Sequence, residues 1–320
     1  MRPYYLFSTF GSILVLMKRV GFVYDDIFLK HETPKRHPEN KDRLVAITDS
    51  IRSSALTKKL INMRPRMASA DDLALVHSER YIEKIRTQCP GFLDSDTYLS
   101  PHSFEAASYA AGAVIEAVDR CRQGETDRVF CAVRPPGHHA EERAAMGFCI
   151  FNNIAVGARY ARKKGYKKIF IIDFDVHHGN GTQSTFEDDN TVFFFSTQQF
   201  PNFPGTGSAE EKGKGQGEGF TRNIAMEPGA GDPEFINVYQ DLLPPLVSRF
   251  SPDLILVSAG YDILKEDPLS KLNVSQQGIK IIVQSILNSS AVPVIFVLEG
   301  GYNLAALGES VVITLREMLK

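Results

Sequence analysis

Five short runs of almost unbroken apolar residues constrain this chain more than any other feature. They are 129–133 (Val-Phe-Cys-Ala-Val), 169–172 (Ile-Phe-Ile-Ile), 192–195 (Val-Phe-Phe-Phe), 254–257 (Leu-Ile-Leu-Val) and 292–298 (Val-Pro-Val-Ile-Phe-Val-Leu). Rich in β-branched and aromatic residues and lacking polar alternation, they have the pattern of strands buried on both faces. A similar run starts at Val20. Between the runs lie helical stretches: alanine-rich 103–122, 152–164 behind an asparagine cap, 233–250 and 275–288. Strands alternating with helices predict an α/β fold with a single central parallel sheet covered by helices. The glycine-rich stretch 205–219 has neither period and reads as a loop. No repeat or interdomain linker breaks 17–320, which reads as one domain.

Composition narrows the function. At 43% hydrophobic and 23% charged residues, the 320-residue chain is globular. Its net charge of −2 provides no basic field to hold a nucleic-acid backbone. Cys89, Cys121, Cys131 and Cys149 show no paired spacing, which argues against a thiolate zinc site or a disulfide scaffold and for a reducing, cytoplasmic compartment. Residues 4–17 are largely apolar, like a signal-peptide core, but too short to span a bilayer and without a small-residue cleavage site. Residues 1–16 are therefore expected to be an over-extended start or a signal-like segment. No other stretch is a membrane candidate, and no heptad or exposed apolar helix indicates an oligomeric state.

The functional information lies in the segments immediately after the strands. Run 129–133 leads into Arg134-Pro135-Pro136-Gly137-His138-His139, and run 169–172 into Asp173-Phe174-Asp175-Val176-His177-His178-Gly179-Asn180. Run 254–257 leads into Ser258-Ala259-Gly260-Tyr261-Asp262, and run 292–298 into Glu299-Gly300-Gly301-Tyr302-Asn303. In open parallel sheets the carboxyl ends of the strands line the ligand crevice. Four loops of this composition are expected to form one active site.

Residue type then suggests roles. Asp173, Asp175 and His177 alternate, so strand geometry would point them the same way. Asp175 and His177, with Asp262, make a set of three ligands with an open position, as in a catalytic zinc site. Carboxylate-rich ligation also suits Fe²⁺, Co²⁺ or Mn²⁺. His138 and His139 supply imidazoles for acid–base work, oriented by Asp173 and Asn180. Tyr302 could donate a hydrogen bond to a developing oxyanion.

These blocks, with Phe203-Pro204-Gly205-Thr206-Gly207, resemble those of the zinc-dependent histone deacetylase family, which includes bacterial deacetylase-like amidohydrolases and acetoin-utilisation proteins. The resemblance runs from about Val20 to the C-terminus. It implies the arginase–deacetylase fold, with a parallel sheet of about eight strands. It also implies one Zn²⁺ on Asp175, His177 and Asp262, with His139 as general base and His138 paired to Asp173. Tyr302 would polarise the amide carbonyl, and Gly147, Phe148 and Phe203 would wall an acyl-lysine channel. Asp96 would bind substrate at the rim, and Asp173 and Ser196 would belong to a structural K⁺ site. Asn180 stands where class I enzymes carry Asp, which makes the chain class II-like. Leu269 stands where polyamine-selective relatives can carry a gating Glu.

The implied activity is metal-assisted hydrolysis of an acetylated lysine or small acetylamine. Three alternatives are kept: an acetylpolyamine amidohydrolase, an arginase-type ureohydrolase with two Mn²⁺, and a non-catalytic acyl-lysine binding module. The ureohydrolase would want a further Asp where this chain has Val176-His177-His178. The binding module would be expected to lose a ligand or the tyrosine, and this chain keeps them.

Overall fold

The structure, a computed structural model, describes residues 18–320; the expectation for 1–16 lies outside the described residues. Its strands are β1 (Val20–Val23), β2 (Ile61–Met63), β3 (Gly91–Phe92), β4 (Tyr98–Leu99), β5 (Arg128–Cys131), β6 (Ile169–Asp173), β7 (Val192–Gln199), β8 (Thr221–Met226), β9 (Leu254–Ala259) and β10 (Val294–Leu298). Eight form one sheet in the order β2-β1-β5-β10-β9-β6-β7-β8, and β3 and β4 make a separate hairpin. Every pairing in the large sheet is parallel. The expected architecture and strand number are both present.

The order of the strands builds the site. The strands followed by polar loops, β5, β10, β9 and β6, are consecutive in the sheet. Their register aligns Cys131, Val297, Ser258 and Asp173 in one row, which continues to Ser196 on β7. The loops therefore leave the sheet at one level. Two groups of helices flank it: Ser103–Arg122 with Asn153–Lys163, and Asp42–Ser53 with Leu304–Met318 and Gln276–Asn288. Asn152, Ser275 and Asn303 cap their helices through side-chain oxygens that accept backbone N–H bonds. The central strands are fully buried; a Phe or Ile there contributes roughly 1.5–3 kcal/mol by leaving water.

Three sequence readings need correction. Run 192–195 continues as strand to Gln199, because its polar residues are satisfied internally: the Ser196 hydroxyl donates to Gln198, and Thr197 pairs with the Tyr239 hydroxyl at 2.9 Å. Stretch 233–250 is two helices, Asp232–Asn237 and Leu243–Phe250, joined by a π-turn at Val238–Leu242. Pro244 and Pro245 lack the N–H groups that would continue an α-helical ladder. Strands β2 and β8 and helices Asp42–Ser53, Glu79–Thr87 and Leu304–Met318 were not expected. The two strands lie at the sheet's edges, partly exposed, and carry no apolar run.

Candidate active site

Asp175, His177 and Asp262 converge at the carboxyl end of the sheet, with candidate ligand atoms all within 4.8 Å of one another. Strand alternation does not bring them there, since β6 stops at Asp173. Instead each acid hooks back onto the chain two residues on: Asp173 Oδ1 accepts Asp175 N–H at 3.0 Å, and Asp175 Oδ1 accepts His177 N–H at 2.9 Å. Asp175 Oδ2 accepts Gly300 N–H at 2.8 Å, and Asp262 Oδ1 accepts Val176 N–H at 3.0 Å. His177 Nδ1 faces both carboxylates, 3.1 Å from Asp175 Oδ1 and 3.4 Å from Asp262 Oδ2.

Asp262 Oδ2 is buried and accepts no hydrogen bond from the described residues. Burial, then the Asp175 charge, pushes the Asp262 carboxyl up to about 7 despite His177. A divalent cation would meet the orphaned oxygen and both negative charges, so these residues fit a metal. Glycine is required beside them: a Cβ on Gly300 would lie 2.0 Å from Asp262 Oδ2, and one on Gly260 2.2 Å from Asp175 Oδ2.

The described residues contain one other such cluster, His138, Cys149 and Glu299. It is less suited to a metal. Glu299 Oε2 already accepts Gly137 and His138 N–H, Oε1 accepts the Ser258 hydroxyl, and burial keeps the Cys149 thiol protonated.

The histidine pair is asymmetric. His138 Nδ1 lies 3.0 Å from Asp173 Oδ2, and its pKa reaches about 10 because Asp175 and Asp173 outweigh the cost of burial. His139 is driven well below its ordinary range by burial and by the charges of His138 and His177. Its Nδ1 lies 2.7 Å from Asn180 Oδ1, and the amide's orientation is set because Asn180 Nδ2 donates to Glu141 Oε1 at 2.9 Å. His139 therefore carries its proton on Nδ1, leaving the Nε2 lone pair free. The two adjacent imidazoles are thus shifted in opposite directions, which would suit one to hold a proton and the other to accept one.

Above this floor is a cavity of about 260 Å³ lined by Asp96, Pro136, His138, His139, Gly147, Phe148, His177, Phe203, Gly300 and Tyr302. Phe203 meets His139 edge-on at 5.2 Å, and Phe148 meets Tyr302 edge-on at 6.0 Å. A Cβ on Gly147 would strike the His139 ring at 2.5 Å. Phe148 itself holds φ +69°, a strained conformation of the kind that clusters at functional sites. Asp96 lies on the loop between β3 and β4, and its carbonyl accepts a hydrogen bond from His37 Nε2. Arg43 sits over the Tyr302 ring at 5.0 Å, and burial, followed by Asp262, keeps the phenol protonated. Leu269 is not among the lining residues; it is exposed, with its N–H bonded to Asp267. Asp173 and Ser196 are register partners on adjacent strands, as a shared ion site would require.

Sequence reasoning missed the residues that hold this site together. Buried Glu39 takes two hydrogen bonds from Arg134 and one from Arg43 Nη1. Arg43 also donates to the Gly301 and Glu299 carbonyls, tying 31–43 to the tyrosine loop. Burial alone would raise the Glu39 carboxyl, but Arg134, His31 and Arg43 hold it at about 2. A lone Glu four residues before an Arg is an ordinary helical pair, so nothing marked it.

His77 was equally silent in the sequence. Its Nε2 accepts Asn152 N–H at 2.9 Å while Nδ1 bonds the Glu141 carbonyl, so protonation would set N–H against N–H. Burial, opposed by the Glu141 bond, lowers it to about 4. A depressed pKa means stability fully present above the unfolded value and lost as pH falls towards the folded one. The advantage of wild type over His77→Gln should shrink between pH 6.5 and 4, by roughly 2–3 kcal/mol in all. Urea melts of both proteins at each pH check this; a constant difference would refute it.

The profile of the histone deacetylase domain matches residues 37–318, a span that includes every loop of this site. The chain belongs to the histone deacetylase family. This deacetylase is 36% identical over 291 residues to a protein of Archaeoglobus fulgidus named "Probable deacetylase", covering 88% of this chain and 81% of that one. It is 37% identical over 316 residues to Histone deacetylase 18 of Arabidopsis thaliana, covering 92% of this chain but 46% of the relative. The chain thus spans about half the length of that plant relative. The crystal structure of the HDA15 HD domain superposes with a TM-score of 0.91 at 34% identity, covering 94% of this chain and 88% of the other. The fold is the arginase–deacetylase fold, and the enzyme is a hydrolytic deacetylase. No helix among the described residues is long and apolar enough to cross a membrane.

Proposed function

We propose that this deacetylase is a zinc-dependent amidohydrolase that removes acetyl groups from acetyl-lysine of proteins or from related small acetylamines. The orphaned Asp262 Oδ2, beside Asp175 and His177 beneath an aromatic-walled cavity, carries this reading. One Zn²⁺ per chain, held by Asp175, His177 and Asp262, would supply Lewis acidity for the carbonyl and lower the pKa of a water. His139 Nε2 takes that water's proton as the oxygen adds to the acetyl carbon. The Tyr302 hydroxyl donates to the developing oxyanion. The C–N bond then breaks, a protonated histidine of the pair gives its proton to the leaving amine, and acetate and a primary amine depart. Phe148, Phe203 and Gly147 flank the methylene stem, and Asp96 at the rim accepts an N–H of the substrate. A structural K⁺ would sit at Asp173 and Ser196, and the four free thiols suit a reducing, cytoplasmic location.

The arginase-type alternative is disfavoured by His178, which bonds Thr206 and Gln183 instead of joining the metal cluster. The acetylpolyamine alternative turns on the surface beyond the cavity lining, where Leu269 is exposed. Leu269 offers no anion to an internal ammonium, so acetyl-lysine peptides should be preferred over acetylspermidine. Leu269→Glu should move the kcat/KM ratio towards acetylspermidine by about two- to fivefold, the range of an exposed charge pair. Assaying both substrates on both proteins decides this; a wild-type preference for acetylspermidine would overturn the acetyl-lysine reading.

A further inference from the structure

The loop that presents Tyr302 hangs on a carboxylate outside the active site. Asp267 Oδ2 accepts the backbone N–H of Tyr302 at 2.6 Å and of Asn303 at 3.3 Å, while Oδ1 accepts Leu269 N–H at 3.0 Å. Asp267 is buried, and its own N–H is fixed to the Leu264 carbonyl. On the other side of the loop, Gly300 N–H is held by Asp175 and the Gly301 carbonyl by Arg43. Gly301, at φ +117°, lies between the Gly300 N–H held by Asp175 and the Gly301–Tyr302 peptide group, whose carbonyl Arg43 holds and whose N–H Asp267 holds. Asn303 caps the helix after it, so the segment from Tyr302 to the helix is set by Asp267, Arg43 and that cap.

We propose that Asp267 is a positioning residue for the deacetylation step, one that fixes the Tyr302 backbone so that its hydroxyl meets the oxyanion, and that it links this loop to the exposed segment at Leu269. It touches neither substrate nor the reacting atoms. The inference rests on the assignment of Tyr302 as oxyanion donor. Both oxygens of Asp267 act as acceptors, so an amide cannot replace it: with its oxygen kept at Leu269, Asp267→Asn sets an NH₂ against the two loop N–H groups.

Four proteins test this: wild type, Asp267→Asn, Tyr302→Phe and the double variant. Asp267→Asn should lower kcat about 10–100-fold with KM within about threefold, because the lost interaction acts in the transition state. Added to Tyr302→Phe it should cost less than about threefold, since the hydroxyl it aims is already gone. Hydrogen exchange should show the Tyr302 and Asn303 amides protected in wild type and released in Asp267→Asn. Equal kcat losses in both tyrosine backgrounds, or an unchanged kcat with released amides, would overturn the positioning role while leaving the Tyr302 assignment standing. A near-wild-type Tyr302→Phe would overturn both. If Asp267→Asn does not fold, wild-type exchange decides: amides as labile as those of exposed loops refute the clamp, and protected ones support it.

Discussion

Asp262→Ala should fold, hold no zinc and turn over no substrate. Two of the three proposed ligands are carboxylates and none is a thiolate, so the ion depends on all three and should be removable by chelators at mildly acid pH. In wild type, zinc binds only the folded state and should stabilise it by RT ln(1 + [Zn²⁺]/Kd), about 2.7 kcal/mol at one hundred times Kd, so the melting temperature should rise with the logarithm of zinc concentration. In Asp262→Ala that shift should vanish. The metal-free proteins should differ in the opposite sense as pH rises. Burial and Asp175 raise the Asp262 carboxyl to about 7, above its unfolded value. The contribution of a group raised in this way is present at low pH and lost as pH climbs through the folded pKa. Metal-free wild type should therefore lose stability relative to Asp262→Ala between about pH 4 and 7. Metal analysis and melts with and without zinc check both statements. Full metal occupancy in Asp262→Ala would remove Asp262 from the ligand set.

Why the site was legible lies in where its residues sit. Buried parallel strands leave little ambiguity in 129–133, 169–172 and 254–257, and polar residues directly after them can only lie at a sheet end. The adjacency of β5, β10, β9 and β6 was not written there, because strand order depends on which crossovers pack, and those are non-local. Edge strands β2 and β8 carry too little burial to leave a period. At the site itself, Asp173, Asp175 and His177 were placed together for the wrong reason, side-chain hooks doing what alternation was expected to do. Glu39, Arg43, His77, Glu141 and Asp267 escaped because each is a single polar residue in an ordinary context. Their partners are largely backbone groups and loop residues brought near only by folding. Leu269 shows the converse: a position carried over from a resemblance lands at the surface, outside the cavity lining.

Tyr302→Phe should lower kcat about 10²–10³-fold with a smaller change in KM, the cost of removing one donor aimed at an oxyanion. The ring's surroundings predict that little else changes. Its edge contact with Phe148 at 6.0 Å and its place under the Arg43 guanidinium at 5.0 Å need the aromatic face, which Phe retains. Asp267 holds the backbone, which the substitution does not alter. Zinc content and melting temperature should thus remain near wild type. The effect should also persist as pH rises through neutrality, because burial and Asp262 keep the phenol protonated far above its ordinary value. A tyrosine that only packed against Phe148 and Arg43 would tolerate this change in catalysis as readily as in stability. A Phe variant that keeps more than a third of wild-type kcat at full zinc occupancy would exclude Tyr302 from the chemical step.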